Sequence, residues 1–296
     1  MSALKPIADS VLGWCSNLFG TTLSLAKVAI QCRRPATYPK PMHDTCILLG
    51  NGPSLRADLE KYASTLCKHS LLCVNGFSLS DAFTDLKPGY YLMLDPAFWE
   101  SRNSNIESIM QSITTKTNWT LHLYLPHAAK GTDNMKLLST NPHIVIHYFN
   151  YIVYKGFSGL GNTLFRLGWA APQCQNVLVA AIFIAVNAGH KNVVLLGADH
   201  SWHENIIVKD DNVVYTKEVH FYDNLEQCRF IPFPKDLNTS ETRTMDDLFL
   251  AWSKVFKGYF MLKKYATSRG SEIFNASAKS YIDAFSRTTL DDPRWK

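Results

Sequence analysis

The sequence CILLGNGPSL at residues 46–55 decides the fold class. Its first four residues are apolar, a Gly-Asn-Gly-Pro-Ser turn follows them, and residues 56–62 form a polar stretch with helical spacing. This order is typical of a buried parallel strand that leads through a tight turn into a helix. We therefore predict a strand at 46–49 and a helix at 56–65.

The turn has the features of an anion-binding site. Glycines at positions 50 and 52 permit positive φ and let a ligand approach the backbone closely. Ser54 is a favourable N-cap residue, and the first amides of a helix bind phosphate well. The turn is neither a P-loop, since no Gly-Lys-Ser/Thr follows, nor the dinucleotide fingerprint, since the third glycine is missing. We favour a nucleotide-type ligand here, and a purely structural turn is the alternative.

Length and composition are those of a soluble globular protein. The 296 residues are 46% hydrophobic and 19% charged, which permits a sizeable core. The net charge of +5 comes from scattered basic residues that form no stripe for nucleic acid. The seven cysteines include no Cys-x-x-Cys pair, so neither a disulfide framework nor a zinc site is indicated. A reducing, cytoplasmic setting fits these features.

Residues 1–45 differ from the rest of the chain. Apolar side chains recur there at helical spacing, with basic residues nearby: Val11, Trp14, Leu18, Leu25, Val28 and Cys32. Asp9, Asn17 and Lys27 interrupt the apolar run, which argues against a membrane-spanning helix. We expect an amphipathic helix whose residues 7–34 either lie on the inner face of a membrane or pack on the protein's own domain. A proline-rich linker at 35–41 follows.

From residue 46 onward, predicted strands and helices alternate. Further strands are expected at 70–74, 90–94, 120–125, 143–147, 192–196 and 272–274, and further helices at 106–113, 176–188, 245–267 and near 278–286. The polar segment 200–244 shows little regular pattern, and its length is typical of an active-site lid. The alternation predicts an α/β, Rossmann-like (GT-A-like) fold, with a mostly parallel sheet and helices on both faces.

Polar residues follow four of the predicted strands, namely Asn51, Asn75, Asp95 and Asp199. Parallel sheets bind ligands at the carboxyl ends of their strands, where such side chains can bind sugar hydroxyls and base edges. A single Asn after a strand is usually a turn residue. Four such residues favour one shared site.

These motifs resemble a known enzyme family. Residues 50–55 resemble the opening motif of the glycosyltransferase family 42 bacterial sialyltransferases, and that of a related pterin pyrophosphokinase-like family of archaea and bacterial surface-glycan clusters. The similarity continues in order over residues 46–286, through 73–75, 94–96, 189–192, 196–199, 245–265 and 272–277. The resemblance implies a metal-independent, inverting transferase that uses a CMP-linked sugar.

The resemblance also implies a donor site. The turn after the first strand would contact the ribose and phosphate, Asn75 the sugar nucleotide, Asn176 the phosphate, and residues 197–199 the base. Asp95 stands where the family has Asn, which places a charge near an anionic donor. The predicted donor-binding residues are Gly50, Asn51, Gly52, Pro53, Ser54, Asn75, Asp95, Asn176, Gly197, Ala198 and Asp199.

The general base of the family is not conserved in this sequence. The family places a histidine just before its long late helix, and no histidine lies between residues 221 and 296 here. Glycosyl transfer needs such a base, together with groups that stabilise the departing phosphate. Our candidates are His220, then His200, with Glu241 as an alternative if burial raises its pKa. The other predicted lid contacts to the phosphate are Arg229, Lys235, Arg243, Tyr215 and Tyr222.

We divide the chain into a helical extension and linker (1–45), a nucleotide-binding transferase domain (46–286) that includes the lid, and a C-terminal tail (287–296). The predicted reaction moves an acidic sugar from a CMP-linked donor onto a glycan or glycolipid acceptor, as in lipopolysaccharide or capsule biosynthesis. The donor is a substrate, and no cofactor, metal or nucleic acid is expected. A His200-x-x-His203 metal site lacks a defined third ligand. A homo-oligomer is possible, and the sequence does not decide it.

Two other functions remain as alternatives. A pyrophosphokinase-like transferase would use ATP and Mg²⁺, and Asp95 and Asp199 would supply its carboxylates. A non-catalytic accessory protein of a glycan cluster would explain the missing family histidine.

Overall fold

The computed structural model describes residues 4–101, 103–223, 228–235 and 241–295. Its strands are β1 (Thr45–Leu49), β2 (Ser70–Val74), β3 (Tyr90–Leu92), β4 (Leu121–Pro126), β5 (Ile144–Phe149), β6 (Asn192–Leu196), β7 (Ile206–Val208), β8 (Val214–Thr216), β9 (Ile231–Pro232), β10 (Glu272–Asn275) and β11 (Ser286–Arg287). Its α-helices are α1 (Leu4–Gln31), α2 (Leu55–Leu66), α3 (Ala82–Leu86), α4 (Ala97–Glu100), α5 (Ser104–Lys116), α6 (Asp133–Leu138), α7 (Ser158–Arg166), α8 (Val177–Ala188) and α9 (Met245–Ser268).

A central sheet of eight strands runs in the order β11-β10-β6-β1-β2-β3-β4-β5. The pairings between these strands are parallel. The first five strands of the chain extend the sheet in one direction from β1, and β6 then pairs on the other side of β1. This reversal places a crevice at the carboxyl ends of β1 and β6, where open α/β sheets bind ligands. The predicted α/β fold is confirmed.

Helices cover both faces of the sheet, as predicted. Cys46 and Leu48 of β1 face one buried cluster with α8 and α9, whereas Ile47 and Leu49 face a second cluster with α2 and α5. This alternation explains why all five residues of β1 are buried. The apolar helix α8 is buried almost all round, and its position beneath the crevice fixes the geometry of its N-terminus.

The predicted lid has more regular structure than the sequence indicated. Strands β7, β8 and β9 form a separate antiparallel sheet. Strands of two or three residues are too short to give a periodic signal, which is why they were missed. The amide of Phe221 donates to the Asn51 carbonyl (3.1 Å), and Arg56 Nε donates to the Phe221 carbonyl (2.9 Å). These bonds tie this segment to the turn after β1; residues 224–227 and 236–240 lie outside the described residues.

Helix α1 contacts the rest of the chain through small polar side chains. Thr21 Oγ1 lies 3.0 Å from the Tyr154 hydroxyl, and the Lys155 amide donates to Ser24 Oγ (2.9 Å). Thr21 and Ser24 are buried, while Trp14 on the same helix is 57% exposed. In the described part of the chain, no helix is long and apolar enough to cross a membrane.

The C-terminal region differs from the prediction. No helix forms near 278–286; the chain makes a loop that buries Ile282, Ala284 and Phe285, and then strand β11, which pairs with β10. Ser280 holds this loop in place, because its hydroxyl donates to the Ala198 carbonyl (2.6 Å) and accepts from Asn275 Nδ2 (2.9 Å). Such local bonds compete with a helix. Within the segment that we separated as a tail, Trp295 is only 1% exposed and packs against Phe274.

Candidate functional site

A cleft of about 1020 Å³ lies at the carboxyl ends of the central strands. Most of the predicted site residues line it: Asn51, Gly52, Pro53, Asn75, Asp95, Asn176, Gly197, Asp199, His200 and His220. Four predicted residues are not among those that line it, namely Gly50, Ser54, Ala198 and Glu241. The four strand-end residues that the sequence singled out thus share one site.

Close packing of two loops explains the glycines after β1. The Gly50 amide donates to the Leu196 carbonyl and the Gly52 amide to the Gly197 carbonyl, both at 2.9 Å. A Cβ on Gly50 would lie 2.5 Å from the Gly197 oxygen, and one on Gly52 would lie 2.4 Å from Asp199 Oδ1. These glycines are therefore required where the loops after β1 and β6 meet, not only where a ligand approaches.

The start of helix α2 already carries a protein carboxylate. Ser54 was predicted to cap this helix, but its side chain makes no capping bond. Its hydroxyl donates to Asp199 Oδ1 (2.5 Å) and its amide to Asp199 Oδ2 (3.0 Å). Burial raises the pKa of Asp199, and the two Ser54 bonds oppose that rise. Asp199 thus takes the Ser54 amide and hydroxyl that we expected to meet a phosphate.

Asp58, on the first turn of α2, is affected by the same carboxylate. It is 6% exposed, and burial together with the negative charge of Asp199 raises its pKa to about 6. Its Oδ2 atom has no hydrogen-bond partner among the described residues. Two buried acids at one helix end make this region sensitive to pH.

Three buried polar atoms in the cleft wall lack a hydrogen-bond partner within the described chain: Asn51 Oδ1, Asn75 Oδ1 and Trp99 Nε1. Asn51 is held in place, since its Nδ2 donates to the Val74 carbonyl (3.0 Å). An unpaired buried polar atom costs about 1–3 kcal/mol. A ligand with hydroxyl or amino hydrogens for the two oxygens and an acceptor for the indole would recover that cost. Trp99 carried no signal in the sequence.

His220 has the geometry of an oriented general base. Its Nδ1 lies 3.1 Å from Asp223 Oδ2, and its amide donates to the same oxygen at 2.7 Å. The imidazole stacks on Tyr222 with ring centroids 5.1 Å apart and an interplanar angle of 2°. With Nδ1 held by the carboxylate, Nε2 is the nitrogen that would meet a substrate in the cleft. The partner Asp223, three residues further on, was missed from the sequence.

The other two candidate bases are placed less favourably. His200 is 6% exposed, its Nε2 lies 2.5 Å from the Tyr259 hydroxyl, and burial lowers its pKa to about 3. It is thus held as a neutral core histidine. The Glu241 side chain is 69% exposed and pairs with Lys235 at 3.1 Å. The burial on which its candidacy depended is not found, so the geometry favours His220.

Another part of the cleft wall suits an anion. The N-terminus of α8 opens there, and Asn176 caps it by accepting from the Leu178 amide at 2.8 Å. Lys217 and Arg243 line the same cleft, and neither takes part in an ion pair within the described ranges. A helix N-terminus and two cations attract negative charge.

Aromatic rings from the lid and α9 form another part of the wall. Trp202 and Trp252 stack with centroids 6.2 Å apart and an angle of 23°. Flat apolar surfaces of this kind pack against sugar or base rings. Of the predicted tyrosine donors, Tyr215 instead bonds to Asp211 (2.9 Å) outside the cleft.

Asp95 is exposed at the cleft, where its Oδ1 accepts from the Ala97 amide at 2.9 Å in the turn that leads into the short helix α4. Among the residues described, no group of three or more His, Cys, Asp or Glu side chains could hold a metal ion.

Comparison with known proteins establishes the fold. No protein-family profile matches the sequence, and no curated protein matches it. Among solved structures, the chain is similar to the MAf glycosyltransferase from Magnetospirillum magneticum AMB-1, with a TM-score of 0.51 and 11% sequence identity. The match covers 92% of this chain and 38% of that protein's chain. The protein thus has a Rossmann-like, glycosyltransferase-like fold.

Proposed function

We propose that this chain is a glycosyltransferase that uses a nucleotide-linked sugar. One observation carries the proposal: the unpaired oxygens of Asn51 and Asn75 share a cleft with the His220–Asp223 pair. The two asparagine oxygens suit the hydroxyl and amino groups of a nucleotide sugar. The His220–Asp223 pair suits activation of an acceptor hydroxyl. The similar fold of a named glycosyltransferase supports the same conclusion.

The proposed donor is a CMP-linked acidic sugar, as the sialyltransferase resemblance implies. Its nucleoside would contact Asn51 and Asn75, and its phosphate would lie towards the N-terminus of α8 and Arg243. This position for the phosphate replaces the one at α2, which Asp199 occupies.

In the proposed mechanism, His220 Nε2 accepts the proton of an acceptor hydroxyl. The hydroxyl oxygen attacks the anomeric carbon from the face opposite the phosphate, and the bond from that carbon to the phosphate oxygen breaks. CMP departs with the bonding electrons, and attack from the opposite face inverts the configuration. Asp223 orients the imidazole and stabilises the imidazolium that forms. Arg243 and the α8 amides stabilise the leaving phosphate, and no metal is required.

The proposed acceptor is a bacterial surface glycan or its glycolipid precursor, in the context of lipopolysaccharide or capsule biosynthesis. This part of the proposal rests on the family resemblance alone. A pyrophosphokinase-like reaction is the second candidate, because the exposed carboxylate of Asp95 lies in the cleft and could face a nucleotide-bound Mg²⁺.

A thermal-shift panel of CMP, CDP, UDP and ATP, each with and without Mg²⁺, tests the donor class. A ligand at 100 times its Kd stabilises the folded state by about 2.7 kcal/mol, which gives a readily measured rise in Tm. We expect CMP to stabilise the chain without Mg²⁺. Stabilisation by ATP alone, and only with Mg²⁺, would instead establish the second candidate. Stabilisation by none of the four would refute the proposed donor class.

A further inference from the structure

Helix α1 is oriented with its small polar side chains towards the protein and its large apolar side chains outward. Thr21, Ser24 and Val28 are buried against the domain. Eight large apolar residues on the other sides of the helix are 40–80% exposed: Val11, Leu12, Trp14, Leu18, Phe19, Leu23, Leu25 and Ile30. We call these eight the outer face. A helix usually buries such residues, so this one presents an apolar surface that the described part of the chain leaves largely uncovered.

The outer face is wide and free of charge. At 3.6 residues per turn, its side chains span roughly half of the helix circumference. No charged residue occurs between Ser10 and Ala26. The seam of a two-stranded coiled coil is much narrower, so pairing with one other helix would leave most of this face in water. A planar apolar boundary would cover it completely.

The charged residues from Ser10 to His43 are basic only. Lys27, Arg33 and Arg34 are exposed, and none of them takes part in an ion pair within the described ranges. The sequence has no acidic residue from Ser10 to His43. Trp14 lies at the edge of the face, against Phe157 of the domain with centroids 6.1 Å apart. Indole rings favour the headgroup level of a bilayer.

We propose that α1 docks this chain on an anionic lipid bilayer. The outer face enters the boundary between headgroups and acyl chains, and Lys27, Arg33 and Arg34 contact lipid phosphates. The bonds of Thr21 and Ser24 to the domain hold the helix in place on its opposite side, so docking needs no rearrangement of the contact. This inference goes beyond the proposed glycosyl transfer and does not depend on it.

Vesicle co-sedimentation of the whole chain tests the inference. We expect binding to phosphatidylcholine vesicles with about 30% phosphatidylglycerol, and much weaker binding to phosphatidylcholine alone, because each basic residue near an anionic surface contributes about fivefold. Arg33→Gln with Arg34→Gln should therefore lower affinity for the anionic vesicles by roughly 25-fold. High salt should act in the same direction.

A matched pair of variants separates the outer face from general surface hydrophobicity. Phe19 is 68% exposed on the outer face, and Leu137 is 43% exposed on α6. Phe19→Glu should weaken vesicle binding at least about tenfold, since it places a charge in the apolar boundary. Leu137→Glu should leave it unchanged. Both positions are exposed, and circular dichroism verifies that both variants are folded.

Two results would overturn the inference. The first is that the wild-type chain stays in the supernatant with anionic vesicles, or that the Phe19→Glu variant binds them as well as the wild type does. The other is a chain that is dimeric by light scattering, becomes monomeric with Phe19→Glu and ignores vesicles, which would assign the outer face to a second copy. CMP binding is measured separately, so neither result bears on the proposed glycosyl transfer.

Discussion

Replacement of Asn75 by glycine should separate stability from donor binding. Asn75 has a positive φ of 50°, which glycine adopts without strain, and its buried Oδ1 has no partner among the described residues. Removing that oxygen recovers about 1–3 kcal/mol, and the added freedom of glycine in the unfolded chain costs about 0.5–1 kcal/mol. We therefore expect the free chain to be unchanged or up to about 2 kcal/mol more stable.

Donor binding should change in the opposite direction. Loss of the hydrogen bond that the ligand donates to Asn75 Oδ1 costs about 1–3 kcal/mol, which corresponds to a roughly 5- to 150-fold rise in Kd. Urea unfolding measures the first effect, and calorimetric titration with CMP measures the second. Asn212→Gly is the matched control, because Asn212 also has a positive φ (58°) but is exposed in the turn between β7 and β8. Equal CMP affinity of wild type and Asn75→Gly would refute this reasoning.

Three further predictions concern the base, the buried acids and the loop packing. His220→Ala should lower kcat for donor hydrolysis by about 10²–10⁴-fold with CMP affinity retained, and Asp223→Asn by less; an unchanged kcat in steady-state assays excludes His220 as the base. The Asp58 carboxyl binds its proton more tightly in the folded state than in the unfolded state. Its protonation therefore stabilises the fold fully below about pH 4, and this stabilisation is lost as the pH rises through about 6. Urea unfolding should therefore show that the Asp58 carboxyl accounts for up to about 3 kcal/mol of stability lost over that window. Asp58→Asn should reduce the slope and leave the part due to Asp199, whose pKa burial also raises; an identical slope in the variant contradicts the assignment. Gly52→Ala should cost at least about 3 kcal/mol, because its Cβ would overlap Asp199, whereas Gly159→Ala on α7, with open space around it, should be neutral or stabilising by chemical denaturation.

Sequence patterns predicted the central sheet well because its strands are buried on both faces. Strands β2 and β6 have the predicted ends at 70–74 and 192–196. A continuous apolar run between turn residues leaves few alternatives for such strands. The short strands of the lid were missed because they give no periodic signal. The loop at 278–286 was missed because it depends on the bond between Ser280 and the distant Ala198.

The candidate site could be predicted only as a set of strand ends. Topology alone brings Asn51, Asn75 and Asp199 to one edge of the sheet. The bond between Ser54 and Asp199 joins residues 145 positions apart, and no local pattern announces it. The burial of His200 likewise depends on a tertiary contact, the one with Tyr259, whereas the bond that orients His220 joins it to Asp223 only three residues further on.

Hydrogen–deuterium exchange with and without saturating CMP tests the central claim most directly, that a cytidine nucleotide binds at the carboxyl ends of β1, β2 and β6. We predict slower exchange in residues 50–55, 74–78 and 176–179 when CMP is present without Mg²⁺, since these segments contain the unpaired oxygens and the start of α8. Unchanged exchange in all three segments, or protection confined to the surface far from the cleft, would contradict it.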